Sequence, residues 1–409
     1  MKFPKLSFAV TGILLGTSGL ALADNNEGFL PLFSEHDLQL RIRPRYEYAD
    51  VDGGADAANA FTVRTVLSGG FYRVAGIPDT EAHLEITNVS HFGFMDEFVP
   101  EQKGYDVIMD PSQTRVTQAH LNYKLGKTTF IAGRSLQVFD NQRFIGHVGW
   151  RQMPQTFDMI AVNDKSVDGL SLTGAYVTRA NRIFADARRA LDTNTVLLHG
   201  NYTVAPAFKL SAYGYLLASI HDTFGVRATG KTGFSGVKVS YEAEYAFQGK
   251  PSFEEESMGS VKPDHEANYY KLGFRVNYSG FVTGVDYEVL GEKDGSGGGA
   301  FSTPLATLHG MNGWADKFLA TPANGLVDTS FTLGYINKQF GRLIGIYHSF
   351  ESDNGGDDYG SEVDVIYAYP VYKNLGLILK AAFYDEGDGL ANNDTTKYWA
   401  MLDYKFNFK

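Results

Sequence analysis

Apolar and polar residues alternate strictly along most of this chain, in segments of roughly ten residues that each end at a turn. In the clearest segment, Val237, Val239 and Tyr241 share one face, and Lys238 and Glu242 share the other. Because successive side chains of a β-strand point to opposite faces, this pattern predicts a strand with one apolar and one polar side. A long series of such strands, with tyrosine frequent on the apolar side, is typical of a closed barrel in a membrane.

Eighteen segments follow this pattern. We predict strands at 37–49, 59–74, 79–90, 114–125, 127–137, 156–163, 168–178, 193–204, 206–219, 222–230, 234–248, 267–279, 280–292, 328–339, 341–351, 360–371, 373–385 and 394–408. An even number near eighteen leaves an aqueous lumen, whereas eight to ten strands are filled by side chains.

The connections between these strands fall into two populations. Those after even-numbered strands are brief, as at Gly126 and Phe340, and most of those after odd-numbered strands are long. The long connections are 91–113, 138–155, 179–192, 249–266 and 293–327, and the break near Ser219 is the short exception. Outer-membrane barrels have short periplasmic turns and long extracellular loops. The sequence therefore predicts an all-β fold, a single transmembrane antiparallel β-barrel of about 18 strands.

The first residues carry the pattern of a secretory signal. Lys2 and Lys5 precede an apolar run, which ends at the small-residue cleavage pattern 21–23. We predict a cleaved signal peptide at 1–23 and a barrel at 24–409, located in the outer membrane of a bacterial cell. No other stretch has the uninterrupted apolar length of a membrane-spanning helix.

Composition narrows the function further. The chain has no cysteine, which removes thiolate catalysis, disulfides and cysteine-bound metals. A formal net charge of −11 argues against nucleic acid as a partner, because a nucleic-acid footprint is basic. The acidic external loops, such as 254–256 and 353–358, suit solvation and divalent bridging to lipopolysaccharide, and they lack the ligand spacing of a calcium site.

The polar faces of the strands indicate what lines the lumen. The first strand projects Arg41, Arg43 and Arg45 inward as a ladder of like charges. Further inward candidates are Arg64, Lys238, Arg275, Glu242, Glu244 and Asp364, whereas the face of Arg134 is ambiguous. We interpret the ladder as a constriction that favours anions, since crowding three cations costs free energy. The alternative is that such charges pair across strands and only keep the wall polar.

Two segments carry a family likeness, namely the motif around Gly133-Arg134 with 140–158, and the run 303–322 with its 312–318 core. They resemble the alginate export family of outer-membrane porins. The opening Leu40-Arg41-Ile42-Arg43 and the strand rhythm are similar too. The resemblance implies an eighteen-stranded monomeric barrel with an arginine-lined conduit for an anionic polysaccharide. By resemblance, Arg134, Arg143 and Arg151 belong to the positive pathway.

Two loops are candidates for a gate. The segment from Asp140 to Asp158 is expected to fold over the pore mouth, although Asp140 and Arg143 are equally explained by a salt bridge that pins the loop. In the loop 293–327, Trp314 and Phe318 are spaced to share a short helical face that packs the loop into the barrel as a plug or lid, with Asp316 between them. Stacking of Trp314 on a sugar ring is the alternative.

These observations predict a passive porin for acidic solutes that needs no cofactor, no metal and no covalent chemistry. Its expected partners are outer-membrane lipids, lipopolysaccharide, anionic sugars or small acids, and the outer-membrane assembly machinery. A general or sugar-selective porin is the alternative. An adhesin and an outer-membrane hydrolase are less favoured. For the hydrolase, His83, His120, His199 and His348 form no recognised local signature. The chain is therefore not expected to be an enzyme.

Overall fold

A computed structural model describes residues 35–184, 190–254, 266–292 and 299–408. The predicted signal peptide at 1–23 lies outside the described residues, as do Glu255, Glu256 and the run Gly295–Gly298.

Eighteen strands form the wall of the molecule. They are β1 (Glu35–Val51), β2 (Ala58–Tyr72), β3 (Thr80–Ser90), β4 (Gln113–Leu125), β5 (Thr128–Ser135), β6 (Thr156–Asp164), β7 (Leu170–Asn181), β8 (Leu191–Ala205), β9 (Phe208–Leu217), β10 (His221–Phe234), β11 (Val237–Gly249), β12 (Ala267–Tyr278), β13 (Phe281–Leu290), β14 (Leu326–Asn337), β15 (Gly341–Glu351), β16 (Asp358–Tyr372), β17 (Leu375–Asp385) and β18 (Thr395–Phe408). A two-residue strand, Asp96–Glu97, adds to the edge of β2, and single 3-10 turns lie at Val74–Gly76 and Leu308–Gly310.

Each strand pairs antiparallel with its neighbours in sequence, and β18 closes the ring by pairing with β1. The closing register places Leu38 opposite Phe408 and Arg45 opposite Met401. This closed barrel of 18 antiparallel strands confirms the predicted fold class. The connections are also sorted as predicted, including the short one between β9 and β10 at Ser219. Closure removes the unpaired edges that an open sheet would present.

The outer face of the barrel is apolar. Side chains such as Ile160 and Leu333 are 65% and 70% exposed, and they alternate along their strands with buried neighbours. An apolar outer face with every strand paired is the arrangement that a lipid environment requires. Among the described residues, none of the helical segments has the length and apolar character needed to cross a membrane.

The interior is narrowed by two loops that fold into it. We call the connection 136–155 loop A and the connection 291–325 loop B, of which 293–298 lie outside the described residues. Phe144 of loop A packs against Tyr213 and Tyr269 of the wall and against Phe301 of loop B. These rings belong to one buried cluster inside the barrel. The hydrophobic core of this molecule is therefore built between the wall and its loops.

Candidate functional site

Arginines of β1 hold the main chain of loop A. The guanidinium of Arg43 donates hydrogen bonds to the carbonyl oxygens of Gly149 at 3.0 Å and of Trp150 and Arg151, and its Nε donates to Gln152 Oε1 at 2.9 Å. Arg45 Nη1 donates to the carbonyl of Trp150 at 2.8 Å. Both arginines point inward as predicted, but loop A covers them, so their side chains are buried.

A buried ion cluster lies beside this contact. Arg45 pairs with Glu47 at 2.9 Å and with Asp110, and Arg151 of loop A pairs with Glu47 at 3.0 Å. Arg151 also donates to Asp316 Oδ2 of loop B at 2.6 Å. Because the two arginines share these carboxylates, the cluster joins β1 to both loops. It places Arg151 in a structural network inside the barrel.

Carboxylates of β16 hold the main chain of loop B through its N–H groups, whereas the β1 arginines hold loop A through its carbonyl oxygens. Glu362 accepts hydrogen bonds from the backbone N–H groups of Trp314 and Ala315, the latter at 2.7 Å, and Asp364 accepts from Trp314 N–H at 3.2 Å. Two strands along the wall and level with Asp364, Lys397 of β18 donates to the carbonyl of Ala315. Asp364, a predicted pore-lining acid, is fully buried beneath loop B and is not exposed to the lumen.

The two loops also contact each other directly. The backbone N–H of Gly146 donates to the carbonyl of Leu305 at 2.9 Å, and that of Thr307 donates to the carbonyl of Gln142 at 3.0 Å. Arg143 donates to Asn312 Oδ1 of loop B at 2.9 Å and pairs with Glu288 of β13 at 3.0 Å. Loops A and B therefore form one connected body inside the barrel.

Asp140 does not pair with Arg143. It accepts a hydrogen bond from His199 Nε2 at 2.7 Å and one from the Ser211 hydroxyl at 3.1 Å, and Arg227 lies 3.8 Å away. Burial alone raises the pKa of the Asp140 carboxyl, but the His199 hydrogen bond and the charges of His199 and Arg227 bring that pKa below its ordinary value. Asp140 thus pins the start of loop A to the wall strands β8, β9 and β10.

Arg134 faces away from the lumen, which corrects its assignment to the positive pathway. It lies on the same side of β5 as Phe130, which is 40% exposed, whereas Ile131 and Ser135 on the other side point into the barrel. Arg134 Nε pairs with Asp158 at 2.6 Å, and the two residues are register partners on β5 and β6. Asp158 is therefore an ion-pair partner on the outer face of β6, outside loop A.

The expected helical face of Trp314 and Phe318 is absent from loop B. Asn312, Gly313 and Asp316 adopt positive φ angles of 53°, 82° and 64°, and a continuous right-handed helix cannot include them. Phe318 packs on Phe350 at 4.5 Å between ring centroids. Trp314 lies instead against a lysine of the wall, so the two aromatic side chains anchor loop B at separate places.

Most other predicted pore residues pair with wall residues of opposite charge. Arg41 forms a two-hydrogen-bond pair with Asp403 of β18, and Arg275 pairs with Asp286. Glu242 pairs with Arg227 and, at 3.6 Å, with Lys271, and Glu244 lies 3.2 Å from Arg227 Nε. These contacts match the alternative in which wall charges are cross-strand partners.

Two predicted residues have no such partner. Arg64 is buried on the inward face of β2, and its Nε has no hydrogen-bond partner among the described residues. Lys238 is exposed near the short-turn end of β11, on the inward face that Glu244 and Gln248 share. Neither forms an ion pair with a carboxylate that the structure describes.

Several inward cations were missed by the sequence reasoning. Lys231, Arg342 and Lys405 lie exposed near the short-turn ends of β10, β15 and β18, on the faces that these strands bury further along. Extending the alternation to the strand ends would have found them. Arg115 on β4 and Arg182 after β7 were also missed. No sequence signal shows their contact, because Arg115 donates to the carbonyl of Arg182 from a distant strand and Arg182 donates to the carbonyl of Pro304 in loop B.

A cavity of about 1000 Å³ lies between the loops at the long-loop end. Its lining combines Arg182, His221 and Thr303 with apolar residues such as Ile183 and Leu319. Among the described residues, no group of three or more His, Asp or Glu side chains is arranged to hold a metal ion.

Comparison with known proteins identifies the fold. No family model and no curated protein match the chain. Its fold is similar to crystal structures of three outer-membrane porins. Acinetobacter baumannii OccAB2 matches with a TM-score of 0.69 at 17% identity, over 94% of this chain and 100% of that one. Pseudomonas aeruginosa OccK8 (OprE) matches with a TM-score of 0.71 at 15% identity, over 92% and 100% of the two chains. Pseudomonas aeruginosa OccK9 (OpdG) matches with a TM-score of 0.69 at 16% identity, over the same shares.

At this level of identity the likeness shows the shared 18-strand barrel, and it gives no support to the predicted resemblance to the alginate export family. The barrel itself fixes the location. A closed antiparallel barrel of this size, with an apolar outer face, is the architecture of a bacterial outer-membrane protein.

Proposed function

We propose that this chain is a passive, solute-selective outer-membrane porin that favours small anions. The observation that carries the proposal is the group of inward cations without a carboxylate partner among the described residues. Arg64 lies in the middle of the wall, and Lys231, Lys238, Arg342 and Lys405 lie near the short-turn mouth. Rings of arginine and lysine attract anions and lower the electrostatic barrier for a carboxylate.

The paired charges of the wall do not cancel this field. Arg41 with Asp403, and Arg275 with Asp286, are each neutral as pairs. Among the described residues, the inward acids near the same mouth are outnumbered by the cations there. They are Asp37, which accepts from Gly70 N–H at 2.8 Å, and Glu81, which receives a hydrogen bond from Asn122 at 3.3 Å. The net potential at the short-turn mouth is therefore positive, although the whole chain is acidic.

The infolded loops set the size of the solute. Loops A and B carry a packed aromatic core across the lumen, and this leaves less free cross-section than an open barrel of eighteen strands. A small organic acid fits such a path better than a polyuronate chain does. A general porin without ion preference is the runner-up, since most wall charges are paired.

The hydrolase alternative gains no support from His199. His199 and Ser211 both bind Asp140, so the serine hydroxyl donates to a carboxylate and not to an imidazole base. A nucleophilic serine requires the base in hydrogen-bond contact with its own hydroxyl. The arrangement instead fastens loop A to the wall.

A reversal-potential measurement tests the proposed selectivity. The purified protein is inserted in a planar bilayer under a potassium chloride gradient, and it should show preference for chloride. The double change Lys238→Glu and Lys405→Glu should shift the preference towards potassium, whereas Lys373→Glu, in a short turn at the same end, should leave it unchanged. Potassium preference in the parent protein, or an unaltered ratio in the double variant, contradicts the proposal. Block of the current by monocarboxylates but not by uronate oligomers supports small acids as solutes.

A further inference from the structure

All three tryptophans of the chain surround one lysine. Lys380 Nζ of β17 lies 3.6 Å from the ring centroid of Trp314, 4.3 Å from that of Trp150 and 5.1 Å from that of Trp399. The indole of Trp150 stands edge to face with that of Trp399, at 5.8 Å and 79°. An ammonium held over several aromatic faces is attracted by their quadrupoles, and the attraction strengthens when water is excluded.

The lysine is buried, and no described carboxylate forms an ion pair with it. Its ammonium donates a hydrogen bond to His309 Nε2 of loop B at 2.6 Å. His309 in turn donates from Nδ1 to Asp316 Oδ1 at 2.8 Å, and its ring stacks on Trp150 at 4.8 Å. Burial lowers the pKa of the His309 imidazole to about 3, which agrees with a neutral ring that donates at one nitrogen and accepts at the other.

The walls of this cage come from three parts of the chain. Trp150 belongs to loop A, Trp314 and His309 belong to loop B, and Trp399 belongs to β18. We propose that Lys380 is a positioning residue that locks loops A and B into one body against the wall, and so fixes the aperture of the lumen. The proposal rests on the proposed function only in that the lumen conducts ions.

The other contacts between the loops explain why the lysine matters. The ion pair of Arg151 with Asp316 and the backbone hydrogen bonds tie the loops to each other. Arg43 ties loop A to β1, and Glu362 ties loop B to β16. Lys380 is the wall cation that packs on an indole of each loop. Other wall residues that contact both loops are Glu288, Tyr269 and Trp399. Loss of its ammonium should let the two loops move as a unit away from β17.

Single-channel recording in planar bilayers tests the proposal. Lys380→Met removes the ammonium and keeps the length of the side chain, and Lys380→Arg keeps a cation that can stack on indole. Transitions between conductance levels should be about tenfold more frequent in the methionine variant, and the arginine variant should restore the steady parent record. Lys373→Met, in a turn far from the cage, is the matched control.

Intrinsic fluorescence reports on the same site, because every tryptophan of the chain lies in the cage. Lys380→Met should alter the emission as the indoles become wetter. A cross-link then separates loop motion from local effects. The chain has no cysteine, and the Oγ1 of Thr307 contacts Oε1 of Gln142 at 2.8 Å across the loops. The pair Gln142→Cys and Thr307→Cys, oxidised in the Lys380→Met protein, should keep the loops together but still allow them to leave β17, so the transitions should persist.

A second cross-link gives the opposite expectation. Joining loop B to β16 through Ala315→Cys and Glu362→Cys should abolish the added transitions, and a reductant should restore them. The proposal is overturned if Lys380→Met shows the parent's transition frequency while its tryptophan emission shows that the cage has changed. If Lys380→Met does not assemble, Trp314→Leu removes one wall of the cage and should raise the frequency of transitions in the same way. A parent-like transition frequency in Trp314→Leu also overturns the proposal. A barrel without anion preference still shows these transitions, so the two proposals fail separately.

Discussion

Arg43 and Arg64 lie directly opposite each other on β1 and β2, but their guanidinium groups differ in their hydrogen bonds. The guanidinium of Arg43 is occupied by three carbonyl oxygens of loop A, whereas the Nε of Arg64 has no hydrogen-bond partner among the described residues. Two cross-strand cations therefore have different roles. Arg43 holds loop A in place, and under the proposed function Arg64 supplies a positive charge to the solute path.

Removing the charge of Arg64 should weaken anion preference without loosening the barrel. Arg64→Gln is expected to lower the chloride-to-potassium permeability ratio roughly fivefold, which corresponds to about 1 kcal/mol for a charge a few ångströms from the path. Reversal potentials across a salt gradient measure this ratio. Arg64→Lys keeps the charge and should behave as the parent does, and a glutamine variant with the parent's ratio would show that the solute path lies elsewhere.

Removing Arg45 should destabilise the barrel. Arg45→Met leaves the buried carboxylates of Glu47 and Asp110 short of a partner, at a cost of about 3 kcal/mol or more. The temperature at which the barrel loses its resistance to SDS should fall. Arg41→Met breaks the partly exposed pair with Asp403 and should cost about 1 kcal/mol or less. Equal shifts for the two variants would contradict the burial argument.

Loop B should be released by a change in β16. Glu362→Leu leaves the backbone N–H groups of Trp314 and Ala315 without their acceptor, a loss of about 2 kcal/mol or more. Limited proteolysis of the detergent-solubilised barrel should then cut within 308–322, where the parent resists. Glu362→Gln keeps one carbonyl oxygen and should resist better than the leucine variant. Equal resistance of all three proteins would show that the aromatic packing alone holds loop B.

The ion preference should depend on pH near the long-loop mouth. Burial, reinforced by the nearby charge of Lys397, lowers the pKa of Lys317 in loop B to about 8. Lys317 loses its positive charge as the pH rises through this value, so chloride preference should decline between pH 7 and pH 9. Lys317→Met should flatten that decline, whereas Lys373→Met should preserve it. An identical pH profile in Lys317→Met would assign the change to another group.

The wall was predictable because its signal is local. Period-two alternation identified eighteen strands, their inward faces at Arg41, Arg43 and Arg45, and the short and long connections. The face of Arg134 was harder to read, since β5 has no clean apolar side and Gly133 beside it has a positive φ of 124°. The predicted bounds of this strand differ from the observed ones by one or two residues: the prediction is 127–137, and the structure has Thr128–Ser135.

The loops were not predictable in the same way. Nothing in the alternation shows that loop A returns to cover Arg43 and Arg45, because that contact joins residues more than 100 positions apart. The spacing of Trp314 and Phe318 suggested a helix, but Gly313 and Asp316 break it with positive φ angles. Arginines that the sequence offered as pore lining are anchors, because buried cations take whatever acceptors the folded chain brings to them.

Wall residues hold loops A and B through hydrogen bonds to main-chain atoms. Cations of β1 bind carbonyl oxygens of loop A, and carboxylates of β16 bind amide hydrogens of loop B. Main-chain atoms are the same whichever side chain a residue carries. Loop positions that point away from the buried network can therefore be rewritten while the loop stays seated. The barrel is in this sense a frame with an exchangeable insert, so the width of the aperture can be altered in the loops while the charges of the wall are left in place.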